Sequence, residues 1–292
     1  MKELSVSDLI VTCAKVPSFS TFEERIHPLI EELCSDVAQV EISYVPANNM
    51  VIYVPGNRTA PPVAITAHID KINHFAKGHT DSLPANVENG RIEGMMDDAA
   101  GVGMCLAMVR KSQEHNFPPL YILLSEVEEG TDIMERSDWL KNGGEGIYSG
   151  IGAMRISKYL IENNIFPAAI ITLDTTPIFK GEPGIALYNK FWHMEKTYIP
   201  TQKLLDKTQR IESFFTEINP EILVSNANND YRGYGKMFNL IEQTDTPSIA
   251  IEPAIYPYHK ADEGVFVKDV EKIVEMLTQF LEEFDFSSYL AS

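Results

Sequence analysis

"LYILLSEVEEGTD" (residues 120–132) joins an apolar run to a dense set of acids. Leu120 to Leu124 have the unbroken apolar character of a strand buried on both faces. Glu126, Glu128, Glu129 and Asp132 follow almost at once. A buried strand that ends in carboxylates raises the question of where the other strands end.

Three comparable runs behave alike. "VAITA" (63–67) leads into His68-Ile69-Asp70, and "AAIITL" (168–173) into Asp174. "SIAIEP" (248–253) leads, after a short turn, into Tyr258-His259. Between them, helical spacing marks 97–114, 150–164, 201–218 and the closing 267–284. A further helix is expected over "TFEERIHPLIEELCSDV" (21–37), where Thr21 stands three residues before Glu24 as in a capping box. Shorter strands are expected at 40–45 and 50–54. Strands alternating with helices predict an α/β sheet covered on both faces. In such sheets ligands bind beyond the carboxyl ends of the strands. The four runs therefore aim His68, Asp70, the glutamates 126, 128 and 129, Asp174 and His259 at one crevice, and Asp97-Asp98 enters a helix beside them.

Taken singly, each acid has a plain explanation. An acidic residue after a strand is commonly a turn former, and Asp97-Asp98 would serve as N-cap and first-turn acid of a helix. Together, these explanations place several carboxylates at one sheet edge with no Lys or Arg in the same motifs. A missing positive charge points to metal. Imidazole and carboxylate donors suit zinc, and cobalt or manganese would fit the same ligands. Two ions sharing one carboxylate can hold both an attacking water and a carbonyl oxygen, with a further carboxylate as general base.

Composition sets the outer bounds. The chain has 292 residues, 44% apolar and 23% charged, which is an ordinary globular composition. Its 42 acidic and 24 basic side chains give a net charge of −18, which argues against nucleic acid and anionic membrane as partners. No apolar run approaches the ~18 residues of a membrane span, and Glu3 and Asp8 interrupt the start where a signal peptide would be apolar. A cytoplasmic protein is expected. Cys13, Cys34 and Cys105 sit in apolar, helix-like contexts and read as reduced core residues.

The motifs "AHID", "GMMDDAAG", "EVEEG", "ITLD" and "YPYHKADE", in that order from about residue 60 to the last helix, resemble the co-catalytic di-zinc exopeptidases. That superfamily includes bacterial zinc aminopeptidases and the tetrahedral aminopeptidases. The resemblance implies a three-layer αβα fold with a central, mostly parallel mixed sheet and helices on both faces. It implies two divalent ions, with His68, Asp97, Glu129, Asp174 and His259 as ligands and Asp97 bridging. By the same likeness Glu128 is the general base, Asp70 orients the His68 imidazole, and Asp97–Asp98 is a cis peptide. The implied activity is aminopeptidase action on short peptides. Carboxypeptidase, dipeptidase or N-acyl amino acid deacylase activity is the nearest alternative, with Arg155 or Arg232 available to a substrate carboxylate. A silent scaffold and a glutaminyl cyclase-like acyl transferase are more distant ones.

The pattern departs from the family in places. Gly130 follows Glu129 directly where one residue usually intervenes, so Glu126 stays a rival base. Only 29 positions separate His68 from Asp97, too few for the extra domain that tetrahedral aminopeptidases insert there. The segment 130–152, glycine-rich at its end, is expected to be a lid or insertion within one catalytic domain spanning 1–292. Assembly into a homo-oligomer is left open. Tyr258, beside His259, is a candidate oxyanion donor, and Tyr188 and Trp192 are candidate pocket walls. His74, His79, His115 and His193 match no motif position and read as loop or surface residues.

Overall fold

The structure is a computed structural model that describes residues 4–77 and 81–286. His79 lies outside the described residues. In chain order, α1 (Val6–Ala14) and α2 (His27–Cys34) precede β1 (Glu41–Val45), β2 (Asn49–Val54) and β3 (Val63–His68). β4 (Asn86–Glu88) and β5 (Arg91–Gly94) follow, then α3 (Ala99–Lys111), β6 (Leu120–Ser125), α4 (Thr131–Glu135) and α5 (Ile151–Glu162). The second half comprises β7 (Ile170–Leu173), β8 (Ile185–Tyr188), α6 (Gln202–Ile218), β9 (Leu223–Ser225) and α7 (Asp230–Lys236). It ends with β10 (Ser248–Pro253), β11 (Glu263–Phe266) and α8 (Val267–Glu283).

Eight strands form one mixed sheet in the order β1-β2-β6-β3-β7-β10-β8-β9. The four strands picked out by their apolar runs, β6, β3, β7 and β10, are its consecutive parallel centre. Alternate residues bury on opposite faces, which explains why these runs carry no polar alternation. Ile65, Ile122 and Ile171 pack toward α1, α3 and α8. Ala64, Leu123 and Ile170 pack toward Ala153, Ile156 and Leu160 of α5 and Tyr234 of α7. The result is the three-layer α/β arrangement that the alternation of elements predicts.

One local expectation is corrected, and one small sheet is new. Residues 21–37 do not form one helix. Thr21 is left-handed (φ +68°), its amide donates to Glu23 Oε1 at 2.8 Å, and only a short 3-10 turn precedes α2. Glu23 is drawn inward to accept from Asn48 Nδ2 at 2.7 Å, and this tertiary contact displaces the capping box. The second finding is a small sheet, β11-β5-β4, whose strands have three or four residues. β4 is exposed throughout and offers no apolar alternation to read. Within 130–152, α4 and two 3-10 turns dock on the N-terminal turn, where the Lys141 amide donates to Thr21 Oγ1 at 2.9 Å.

Candidate metal centre

The parallel strands fix the centre by ending side by side. His68 closes β3 in register with Ser125 of β6. Glu128 and Glu129 follow β6, Asp174 follows β7, and His259 lies between β10 and β11. Asp97 and Asp98 stand at the entry to α3, joined by a cis peptide.

Three sets of donor atoms lie within 4.8 Å of one another: His68, Asp97 and Asp174; Asp97, Glu129 and His259; and His68, Glu128 and Glu129. Asp97 belongs to two of them. Its Oδ1 is 3.0 Å from His68 Nε2 and its Oδ2 is 3.5 Å from His259 Nε2. His68 Nε2 also lies 3.8 Å from Asp174 Oδ1, and His259 Nε2 lies 3.7 Å from Glu129 Oε2. The sequence residues proposed as ligands thus converge, and the base candidate Glu128 sits among them.

Three of the carboxylates are held by identifiable local devices. Asp98 is the N-cap of α3, accepting from the Gly101 amide at 2.7 Å. A Cβ at Gly101 would fall 2.3 Å from Asp98 Oδ2 and 2.5 Å from the Leu173 carbonyl, so the turn requires glycine. Asp97 is positioned from the small sheet, where Glu263 Oε2 accepts the Met96 and Asp97 amides at 2.9 and 3.0 Å. Glu263 closes the motif YPYHKADE, four positions after His259, but the sequence reading gave it no role. Asp70, fully buried, accepts from Ser20 Oγ at 2.8 Å and from the Glu128 and Glu129 amides at 2.9 and 3.2 Å. Its Oδ1 is also 3.2 Å from His68 Nδ1, leaving Nε2 directed at the centre.

Val127 separates the fates of the acids after β6. It is buried with φ +50°, a conformation that a β-branched residue rarely adopts. Glu128 faces the centre, whereas Glu126 turns toward β2. Glu126 accepts from the Ala47 and Asn48 amides at 3.1 and 2.9 Å and pairs with Arg155. Glu126 is thereby engaged in contacts directed away from the donor sets. Asp132 likewise faces away from the centre, pairing with Arg136 at 2.6 Å.

The electrostatics of the metal-free chain follow from burial. Burial pushes Glu128 and Glu129 well above the usual carboxylate range, and neighbouring acids push them further. Asp174 is raised by burial and by Asp97. Burial alone would lower His68, but hydrogen bonds to Asp174, Asp70 and Asp97 outweigh it and hold the imidazole well above its ordinary range. Burial would raise Asp97, yet both histidines hold it far below. Among the described residues, the ion-pair partners of Asp97, Glu129 and Asp174 are these histidines. A set of deprotonatable carboxylates and imidazoles with so little cationic compensation fits divalent metal by donor type and by charge.

The other sequence candidates are dispersed. Tyr258 stacks on the His259 ring at 3.7 Å between centroids. Burial, then Asp97, push its phenol up, so the hydroxyl stays protonated. Tyr188 is buried in a core cluster, with its hydroxyl 2.7 Å from Thr176 Oγ1, and Trp192 packs against the same cluster. Arg155 is taken up by Glu126, and Arg232 by Glu195 at 2.7 Å and by Asn228. Among the other histidines, His115 pairs with Glu282 and His193 bonds the Lys190 carbonyl, both remote from these sets. Asp230 went unread in the sequence: it is buried behind the centre and accepts from Ser125 Oγ at 2.5 Å.

No family model and no curated protein sequence matches the chain. Solved structures do. A TET aminopeptidase from a marine sediment archaeon of the Thaumarchaeota has a TM-score of 0.67 at 14% identity, covering 98% of each chain. The TET1 peptidase of Pyrococcus horikoshii, which assembles into a tetrahedron or a large octahedral shell, has a TM-score of 0.64 at 13% identity, over 96% of this chain and 100% of that one. The aminopeptidase PepT of Bacillus cereus has a TM-score of 0.62 at 12% identity, over 95% and 97%. Along nearly its whole length, the chain has the fold of these peptidases.

Proposed function

We propose that the chain is a metal-dependent hydrolase of peptide bonds, and specifically an aminopeptidase that releases N-terminal residues from short peptides. The observation that carries this reading is the pair of donor sets sharing Asp97, with Glu128 beside them. His68, Asp97 and Asp174 would hold one divalent cation, and Asp97, Glu129 and His259 the other. When bound, such a pair supplies Lewis acidity, lowering the pKa of a water and drawing charge from a carbonyl oxygen. Zinc suits the donors best, with cobalt or manganese compatible.

The chain's own residues do the rest. Glu128 takes a proton from the attacking water and delivers it to the departing nitrogen. Asp70 fixes the His68 ring and the backbone of Glu128 and Glu129 through its four contacts. The Tyr258 hydroxyl donates to the oxygen that gains charge. The engagement of Arg155 and Arg232 in ion pairs favours an aminopeptidase over a carboxypeptidase, which needs a cation for the substrate carboxylate. Assembly into a homo-oligomer, as in the Pyrococcus peptidase, belongs to the same reading.

The test is a substrate panel on zinc-loaded protein, setting free-amine aminoacyl amides against N-acylated amides and N-blocked peptides with free carboxylates. Hydrolysis of the free amines, abolished by chelator and restored by zinc, is expected. Turnover confined to the blocked substrates, or indifferent to chelator, overturns the reading.

A further inference from the structure

A cavity of about 400 Å³ opens beside Glu128. Its walls come from three places in the chain: Tyr148 to Gly150 with Met154 at the start of α5, Asn228 to Asp230, and α7 with its continuation through Met237 and Ile241. That continuation, Met237–Ile241, is π-helical, a widened turn found most often at functional sites.

The walls carry apolar groups that the fold leaves uncovered. Tyr148 is 48% exposed, Met154 39% and Ile241 59%, and all three line this one cavity together with Met237. Apolar side chains scattered singly over a surface need no explanation, but convergence on a concavity does. The two cationic side chains at the rim are already engaged. Arg232 and Lys236 share Glu195 at 2.7 and 3.2 Å, so the cavity is offered their aliphatic stems more than their charges. Two thioethers in the wall give a surface that adapts to apolar groups of different shape.

Both sides of the cavity are tied to the end of β6. The Ser149 hydroxyl donates to the Glu128 carbonyl at 2.5 Å, and the Gly150 amide to the Val127 carbonyl at 2.8 Å. Opposite, Asp230 is held by Ser125 Oγ. The cavity therefore keeps a fixed relation to the base that follows the same strand.

We propose that this cavity receives the side chain of the residue on the acyl side of the scissile bond, and that it selects apolar chains of the size of leucine or methionine. The assignment rests on the hydrolase reading above. Glu128 takes its proton from the water that attacks the scissile carbonyl carbon, and the acyl residue's Cβ is two bonds from that carbon, whereas the leaving residue's is three. The side chain nearest the base is thus the acyl one. A volume of about 400 Å³ accepts it with room to spare, within the range usual for ligand sites.

The test measures kcat/KM on Leu-, Met-, Ala- and Gly-amides sharing one leaving group, for the zinc-loaded wild type and for Met154→Trp and Ile241→Trp, each made alone. Both positions are exposed, so folding is expected to survive, and thermal melting checks it. Should either variant fail to fold, the other carries the comparison. The wild type is expected to prefer Leu and Met over Ala by about tenfold or more, the usual worth of a few methylenes in an apolar pocket. Each indole narrows the cavity, so the Leu-to-Ala ratio is expected to fall by about tenfold. An active wild type that prefers Gly or Ala, or whose ratio stays unchanged in the folded variants, overturns the cavity assignment and leaves the hydrolase reading standing. A wild type that hydrolyses no amide of the panel overturns the hydrolase reading, and the cavity assignment falls with it.

Discussion

Asp70 accepts the Glu128 amide at 2.9 Å on the same oxygen that lies 3.2 Å from His68 Nδ1. One buried carboxylate thereby orients both a metal-ligand candidate and the backbone of the proposed base. Asp70→Ala is expected to weaken zinc affinity about 10–100-fold, as loss of an imidazole's outer partner does. It should also lower kcat at saturating metal, because the Glu128 backbone loses its anchor. Competition against a chromophoric chelator measures the first effect, and kinetics in excess zinc the second. Unchanged values of both would remove Asp70 from the site.

Glu128 and Glu126 differ by two positions and by everything that surrounds them. Glu128→Gln should bind metal as the wild type does and lose about 10²–10⁴-fold in kcat, the usual worth of a general base. Glu126→Gln should keep kcat within about tenfold, because Glu126 faces Asn49 and Arg155 instead of the centre. Elemental analysis with steady-state kinetics checks both variants. Full turnover in Glu128→Gln contradicts the assignment.

The Glu126–Arg155 pair predicts a stability effect without a catalytic one. Glu126 is 2% exposed, and its other partners are three N–H donors of residues 47–49. Arg155→Ala removes the only formal positive charge among these contacts and should cost about 1–3 kcal/mol, at the lower end of buried pairs because Arg155 is itself partly exposed. Chemical denaturation of the metal-loaded protein measures it.

In the metal-free chain the raised carboxyls of Glu128, Glu129 and Asp174 make stability depend on pH. A carboxyl whose folded pKa lies above its unfolded value contributes stability that is complete below the unfolded value, near pH 4. That contribution is lost as pH rises through the folded value. Metal-free protein should therefore lose stability from about pH 4 upward on account of these groups. Zinc binds the deprotonated ligands, so the rise in Tm on adding zinc should grow over the same pH interval. At zinc a hundredfold above Kd the gain is about 2.7 kcal/mol. Differential scanning calorimetry at a series of pH values, with and without zinc, follows both trends. A zinc increment that shrinks as pH rises contradicts the account.

The parallel centre of the sheet was legible because Ile65, Ile122 and Ile171 alternate with residues that are also buried, giving apolar runs that only a covered strand sustains. The convergence of acids was legible because those runs end together. Other features were not. β4, β9 and β11 are too short to show a period, and their pairing is dictated by tertiary contacts. The divergence of Glu126 from Glu128 turns on the backbone of Val127, whose side chain gives no hint of a left-handed conformation. Ser20 reaches Asp70, and Asp230 reaches Ser125, from distant segments without a local motif. Aromatic character alone did not distinguish Tyr188, buried in the core, from Tyr148, which lines the cavity.

The most direct measurement is anomalous diffraction at the zinc edge from crystals grown with zinc. Two peaks are predicted, one touching His68, Asp97 and Asp174 and the other Asp97, Glu129 and His259. Density for a bound ion at neither position, with the imidazoles and carboxylates as close as described above, would contradict it.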